Sequence, residues 1–422
     1  MNLKSLKTAL RAASMMIPLA MTGSVLAQDA VNLRMTIWSA NEGHLALFNS
    51  IAADYKASHP NVSVTFDSLP FDSYTTTLTT QIAGGNPPDL AWIFETSAKD
   101  FVSSGALFPL KSTFDGAEGY DLPDVTESAL ALWSQDSEIF GYPFSTSPFG
   151  VFVNNDLIQS AGQQTPAELI AANQWTWDNA LKIGSAVGQT GKGGIIIRDF
   201  NYQVWQNLTA FYAGWGAMPW SEDGAQCAFT EQPMVDAMTA LHQGIFQTKA
   251  FPGPGDTVDF FAGNAAMTVT QISRASLLPK ENGFAWDLVP LPTGIAGEYA
   301  VIGQAGIGVF ANGAHPQDAA DFLAFMTNAD NSRKLAQFFP PARASLLNTE
   351  VLSKANPLLS PEQIEAVVVK GISTGKVIPG HTNFAEIQQT VRAALDALWV
   401  PDADVKAVMQ SVCDRVQPLL QQ

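Results

Sequence analysis

Cysteine, histidine and basic residues are scarce in this chain of 422 residues, which has two cysteines, five histidines and 22 lysines and arginines. The histidines are scattered, and neither the His-Glu-x-x-His nor the Cys-x-x-Cys spacing of a metal site occurs. Nucleic-acid binding depends on clusters of basic side chains, which this sequence lacks. We therefore expect no metal ion and no nucleic-acid partner.

Motifs of nucleotide binding and nucleophilic catalysis are also missing. Residues 191–194 (Gly-Lys-Gly-Gly) lack the preceding glycine of a phosphate-binding loop, and the glycines of residues 303–308 stand in the wrong order for a dinucleotide fingerprint. No Gly-x-Ser-x-Gly nucleophile elbow occurs. We expect no cofactor and no enzyme activity. A secreted glycoside hydrolase stays open as an alternative, because its two carboxylates would be remote in sequence.

The first 27 residues have the pattern of a secretory signal peptide. Lys4, Lys7 and Arg11 precede a short apolar run (residues 12–26), and a small-x-small sequence ends at Ala27. No cysteine lies near the expected cleavage site, so we predict a periplasmic protein without a lipid anchor. Cleavage would leave 39 acidic against 19 basic residues and change the formal charge from −17 to −20.

The remaining chain predicts two α/β domains, because about 395 residues are too many for one core. Alternating apolar residues predict strands at residues 33–37 and 62–66, and helical spacing between them predicts a helix that ends before Pro60. This order favours a mainly parallel sheet. Cys227 and Cys413 are either paired or two separate core residues, and the sequence does not distinguish the two.

Residues 83–110 carry the most informative motif. A helix ends at two glycines, the sequence Asn-Pro-Pro-Asp follows, and residues 90–94 form a short apolar strand. This order resembles the extracellular solute-binding proteins of ABC importers, family 1, the maltose-binding-protein-like carbohydrate receptors. Further segments that resemble the family's motifs are residues 141–157, 260–267, 290–292, 319–326 and 339–343.

The resemblance implies an α/β, two-lobed periplasmic binding protein fold of type II, with lobes joined by a hinge of several crossings. The N-terminal lobe would comprise residues 28–144 with a return segment, residues 303–342. The C-terminal lobe would comprise residues 145–302 with the terminal helices, residues 343–422. Such a receptor, expected as a monomer, would bind a carbohydrate between its lobes and deliver it to the transmembrane subunits of an ABC permease.

The loop after the first strand and the residue after the strand at 90–94 supply the first candidate ligand contacts. Ligands of open α/β sheets bind at the carboxyl ends of the strands. Glu95 stands at such an end and could accept sugar hydroxyls, with a solvated loop carboxylate as the alternative. Asn41 or Ser39 could instead cap the following helix. The loop candidates are Ser39, Asn41, Glu42 and His44.

Other candidates depend on the lobe assignment or on side-chain type. Trp215 stands between two glycines and could present its ring to a sugar. Thr146 would lie at the first crossing between the lobes, and Gly303 and Gln304 at the second. Gln271 occupies a position where many members of the family carry an aromatic residue, which leaves the identity of the sugar open.

Arg343 resembles the arginine that the family places in its cleft, after a proline turn. Its guanidinium could hold two adjacent hydroxyls or an anionic group, with a structural salt bridge as the alternative. The ligand alternatives are therefore a polyol, a glycerol phosphodiester, or an acidic or sulfonated sugar held by Arg343.

Overall fold

The structure, a computed structural model, describes residues 29–198, 200–279 and 283–421. The predicted signal peptide lies outside these residues. A mixed β-sheet extends through the molecule. The strands of the chain are Val31–Ile37 (β1), Val62–Ser68 (β2), Leu90–Phe94 (β3), Ser134–Gln135 (β4), Glu138–Ile139 (β5), Gly141–Asn154 (β6), Gly193–Ile197 (β7), Ala265–Gln271 (β8), Trp286–Val289 (β9), Val301–Val309 (β10) and Lys376–Val377 (β11). Strands β4 and β5 form a separate two-stranded ribbon, and the others belong to the mixed sheet.

The large sheet has the strand order β2-β1-β3-β10-β6-β8-β7, with β11 paired to β10 and β9 paired to β6. Parallel pairing, as expected from the sequence, joins β1 to β2 and β3, and β7 to β8. In contrast, β10 is antiparallel to both β3 and β6, and β6 is antiparallel to β8. The sheet is therefore mixed rather than mainly parallel.

Helices cover the sheet, and their caps follow from the sequence. Asn41 caps the first helix by accepting hydrogen bonds from the amides of Gly43 and His44, and Thr176 caps the helix Trp177–Gly188 by accepting one from the amide of Asn179. The α-helices are Glu42–Ser58 (α1), Tyr74–Ala83 (α2), Ala98–Ser103 (α3), Lys111–Gly116 (α4), Glu127–Leu130 (α5), Asn155–Ser160 (α6), Pro166–Ala171 (α7), Trp177–Gly188 (α8), Thr209–Tyr212 (α9), Gln232–Phe246 (α10), Pro316–Met326 (α11), Ala329–Leu335 (α12), Thr349–Ala355 (α13), Pro361–Gln363 (α14), Lys370–Thr374 (α15), Phe384–Leu395 (α16) and Val405–Val416 (α17).

Two long strands carry the chain from one half of the molecule to the other. The first half of β6 pairs with β10, and its second half pairs with β8 and β9. Every residue of β6 is buried. The glycine at position 306 on β10 is required by close packing, because a Cβ atom there would lie 2.6 Å from the ring of Trp133. These two strands hold the halves together.

Buried apolar side chains form clusters on either side of the two crossings. One cluster draws on residues 31–144 and 305–342, which we call the N-terminal lobe. A second draws on residues 149–301 and 378–420, and a third, smaller cluster around Phe152 and Ile364 adjoins it; we call this half the C-terminal lobe. The chain thus has a two-lobed α/β fold. The residue boundaries of the lobes given above stay a prediction.

A disulfide joins Cys227 to Cys413 and decides the alternative that the sequence left open. It ties helix α17 to the loop that precedes α10, within the C-terminal lobe. None of the helices in the described ranges is long and apolar enough to cross a membrane. The same ranges contain no group of three or more His, Cys, Asp or Glu side chains arranged to hold a metal ion.

Candidate functional site

A groove lies between the two lobes, at the crossings formed by β6 and β10. Both lobes and both crossings supply lining residues. The lining from the N-terminal lobe is Trp38, Phe71, Asp72, Thr75, Thr76, Trp92, Phe94, Glu95, Thr96, Ser97 and Phe339; the crossings add Phe144, Ser145, Ser147, Gly303, Gln304 and Ala305; the C-terminal lobe adds Arg198, Val204, Gln206, Asn207, Gln271, Ser273, Gln388 and Gln389.

The wall on the N-terminal lobe is aromatic. Trp38 immediately follows β1 and stacks on Phe94, with ring centroids 4.1 Å apart and planes inclined by 12°. Trp92 stacks in turn on Phe144 at 4.7 Å. Trp38 is only partly buried and lines the groove. Flat aromatic faces of this kind bind apolar C–H surfaces.

The opposite wall, on the C-terminal lobe, is rich in neutral polar side chains. Carboxamides and hydroxyls can both donate and accept hydrogen bonds, so this wall suits a ligand with many hydroxyl groups. Gln271 ends β8, and its amide oxygen accepts a hydrogen bond from the Arg198 guanidinium. The carboxamide residues on this wall are Gln206, Asn207, Gln271, Gln388 and Gln389.

Glu95 is a buried carboxyl in this groove. It directly follows β3, in the short 3₁₀ turn Glu95–Ser97, and is 7% exposed. Burial raises the pKa of Glu95 from 4.5 to about 8, because a carboxylate loses its hydration there. The backbone amides of Glu95 and Gln304 and the charge of Arg198 oppose this rise in pKa. The carboxyl group therefore holds its proton at neutral pH.

Arg198 reaches toward the opposite lobe. It directly follows β7, and its guanidinium carbon lies 5.1 Å from the ring centroid of Phe71 in the N-terminal lobe. A cation over an aromatic face is attracted by the ring quadrupole. Asn41 and Ser276 also approach each other between the lobes, with 3.5 Å from the Asn41 amide nitrogen to the Ser276 hydroxyl oxygen. These contacts bring the lobes together around the groove.

Four of the residues proposed from the sequence lie in the groove: Glu95, Gln271, Gly303 and Gln304. The Gln304 amide oxygen accepts a hydrogen bond from the Trp133 indole at 3.0 Å, which fixes its orientation. Thr146 does not line the groove, although Ser145 and Ser147 do, because alternate residues of a strand point to opposite faces.

The loop after β1 serves mainly to begin helix α1. The Ser39 hydroxyl lies 2.7 Å from Nδ1 of His44, and Asn41 caps the helix. His44 is buried against Phe338 and Phe339, and burial lowers the pKa of its imidazole to about 4, so it is neutral. Glu42 is exposed. The structure brings none of these four residues into the groove lining, so their contact with a ligand stays a prediction.

Trp215 also lies outside the groove lining. Its ring packs on Phe211, with centroids 4.6 Å apart, and on Trp177 at 6.3 Å, at the edge of the C-terminal core. The ring between the two glycines therefore packs at the edge of the core of the C-terminal lobe. The structure does not support the expectation that Trp215 presents its ring to a sugar.

The expectation that Arg343 binds a ligand is wrong. Its side chain is completely buried in the N-terminal lobe, where the guanidinium donates to three backbone carbonyls and lies 3.4 Å from an Asp124 carboxylate oxygen. It also lies over the ring of Tyr120, at 4.7 Å. Arg343 therefore forms a structural salt bridge, which is the alternative that the sequence analysis gave. The three carbonyls belong to Thr327, Asp121 and Tyr120, at 3.0, 3.0 and 2.8 Å.

The sequence reasoning missed Trp38 and Arg198. Both follow the carboxyl end of a parallel strand, which is the signal that identified Glu95. Phe71 and Gln388 carried no comparable signal, because they enter the groove from a turn and from a C-terminal helix.

A family model described as a bacterial extracellular solute-binding protein matches residues 40–332. Solved structures share the fold. Maltose-bound MalE3 of T. maritima has a TM-score of 0.79 and 18% identity, over 92% of this chain and 100% of that one. An ABC substrate-binding protein of Listeria monocytogenes in complex with cycloalternan has a TM-score of 0.78 and 20% identity, over 93% and 99%.

UgpB from Mycobacterium tuberculosis in complex with glycerophosphocholine has a TM-score of 0.74 and 18% identity, over 93% of this chain and 98% of that one. The same architecture thus holds ligands of different chemistry. At these identities the similarity establishes the fold and leaves the ligand to be argued from the groove.

Proposed function

The chain belongs to the bacterial extracellular solute-binding proteins, and on that premise we propose that it is the periplasmic receptor of an ABC importer for a sugar or sugar derivative. It binds the ligand between its lobes as a monomer, without a lipid anchor, and delivers it unaltered to the permease. The observation that carries the proposal is the groove, in which aromatic rings on one lobe face carboxamides on the other.

The composition of the groove supports a carbohydrate ligand. A sugar ring has an apolar C–H face, which fits the partly buried ring of Trp38, and hydroxyls at its rim, which fit Gln271 and the other carboxamides opposite. A ligand that contacts both lobes binds the closed arrangement better than an open one, so binding favours closure. Closure would then present the receptor to the permease.

The loss of Arg343 as a ligand contact weakens the alternatives that depend on it. Arg343 cannot hold an acidic or sulfonated sugar, because its donors are engaged elsewhere. A polyol fits the same carboxamides as a sugar but would leave the aromatic wall less well covered. A hydrolase would employ Glu95 and Asp72, the carboxyl residues among the described lining residues, and would release products.

A ligand panel tests the proposal. Tryptophan fluorescence and thermal unfolding would be followed with maltose, galactose, galacturonate, glycerol and glycerophosphocholine, together with chromatography of the incubated sugars. We expect a neutral sugar to raise the melting temperature and to be recovered intact. Cleavage of maltose would favour the hydrolase, and a response to glycerol or glycerophosphocholine alone would replace the sugar by that class of ligand.

Replacing Gly303 by alanine should weaken sugar binding about tenfold, which corresponds to about 1.4 kcal/mol. A Cβ atom at this position would lie 2.5 Å from the amide nitrogen of Gln271 and would displace that side chain from the groove. The measurement is a titration of the sugar by calorimetry. Gly116→Ala is the control, because a Cβ atom there has nothing within 4 Å. Equal affinity in both variants would mean that the position of Gln271 is immaterial.

A further inference from the structure

We propose that the side chain of Arg198 closes one end of the groove, separates it from a second cavity in the C-terminal lobe, and so limits the ligand to a single sugar ring. The inference deepens the receptor function proposed above and rests on it. It names the size of the ligand, which the fold leaves open.

The groove is small, because the lobes are closed on each other. It encloses about 150 Å³, whereas cavities for drug-sized ligands usually measure about 300–1,000 Å³. Two polar contacts join the lobes near it. One is the approach of Asn41 to Ser276, and the other is a hydrogen bond of 2.7 Å from the backbone amide of Asn383 to the Asp100 carboxylate. A space of this size suits one sugar ring.

Arg198 lies at the boundary between the groove and the second cavity. It directly follows β7, and it is the residue that the described lining of the groove shares with that of a cavity of about 400 Å³ in the C-terminal lobe. A neighbouring pair of residues divides in the same way, since Ser273 lines the groove and Arg274 lines the second cavity. The two spaces are therefore adjacent.

Contacts from both lobes hold the Arg198 side chain at the end of the groove. Its Nη1 donates to the amide oxygen of Gln271 on the C-terminal lobe. Its guanidinium carbon lies 5.1 Å from the ring centroid of Phe71 on the N-terminal lobe, where the aromatic face attracts the cation. Both partners line the groove. A second sugar ring would have to displace this side chain from its contacts.

The second cavity has surfaces that suit a second sugar ring. Its lining includes the aromatic residues Tyr202, Phe260 and Phe261 and the acidic residue Asp256. Aromatic faces bind apolar C–H surfaces, and a carboxylate accepts hydrogen bonds from hydroxyls. Shortening Arg198 should therefore join two spaces of compatible chemistry and admit a longer ligand.

Calorimetric titrations with two matched pairs of sugars, glucose with maltose and galactose with lactose, test the inference. In a pair that binds the wild type, the added ring should weaken binding by at least about tenfold, because the side chain excludes that ring. Arg198→Ala should reduce the difference to about twofold or less. Arg198→Met keeps an unbranched side chain without the charge, so it should retain the wild-type difference even if both sugars bind less tightly.

An exposed arginine provides the matched control. The Arg333 side chain is 54% exposed, so Arg333→Ala should leave all the affinities unchanged. A crystal structure of Arg198→Ala adds a measurement that needs no sugar. We expect the groove in that structure to open directly into the second cavity.

The outcomes separate this inference from the receptor function. Tighter binding of maltose than of glucose, or of lactose than of galactose, to the wild type would overturn the inference, whether or not the variants fold. An unchanged difference in Arg198→Ala would also overturn it, as would a methionine variant that behaves like the alanine variant. Failure of all four sugars to bind would instead count against the proposed function. The crystal structure would then still decide, because a groove that stays separate from the second cavity would contradict the inference.

Discussion

Replacing Arg343 by methionine is expected to lower the free energy of unfolding by about 3–5 kcal/mol, because it leaves a buried polar site without its partner. Three backbone carbonyls and the Asp124 carboxylate would lose the guanidinium that they share. Methionine retains most of the apolar stem, so the loss reports the polar contacts. The measurement is denaturant unfolding of the wild type and the variant.

Ligand affinity separates this structural role from the one that the sequence suggested. The folded variant should bind sugar as the wild type does, since Arg343 is completely buried in the N-terminal lobe. If the methionine variant does not fold, Arg343→Lys keeps a charge and permits the same affinity measurement. Arg333→Met is the exposed control and should change neither quantity. Normal stability together with lost affinity would restore Arg343 to the binding site.

Replacing Trp38 by alanine is expected to weaken sugar binding about 100-fold, or about 2.7 kcal/mol. Its ring stacks on Phe94 and lines the groove, so its removal deletes an aromatic surface available to a sugar ring. Trp38→Phe keeps an aromatic face and should weaken binding only a few fold. Calorimetric titration of the tightest-binding sugar of the panel measures the effect.

Trp215→Ala is the matched control for Trp38→Ala. Both variants remove a partly buried indole that packs on a phenylalanine, so both should lower stability. Only the Trp38 variant should lose affinity, because Trp215 does not line the groove. If Trp215→Ala abolished binding and Trp38→Ala did not, the ligand would occupy a different surface.

Local signals in the sequence predicted much of the fold. The strand at residues 90–94 and the helix that ends before Pro60 both follow from neighbouring residues, and both are confirmed. Strand β6 is harder to predict from local signals. Pro143 and Pro148 lie within it, and a proline ordinarily argues against the interior of a sheet. The long strand forms nevertheless, because it crosses between two lobes and changes its pairing partners on the way.

The site was harder to predict, because long-range contacts decide which side chains reach the groove. Glu95 could be found from its place directly after a strand. The residues directly after β1 and β7 are Trp38 and Arg198, but the rule was applied to the later loop residues after β1 and was not applied to β7. Three of the partners that bury Arg343 lie between 219 and 223 positions away in the sequence. Similarly, the disulfide joins residues 186 positions apart, and no local pattern specifies it.

Native mass spectrometry of the protein with maltose and galactose tests the central claim most directly. The account predicts a complex of one chain with one sugar molecule, and the sugar released from this complex should have the mass of the intact sugar. The Trp38→Ala variant should form a weaker complex. A spectrum in which neither sugar adds mass, or in which maltose is released as glucose, would contradict a receptor that binds an unaltered carbohydrate between its lobes.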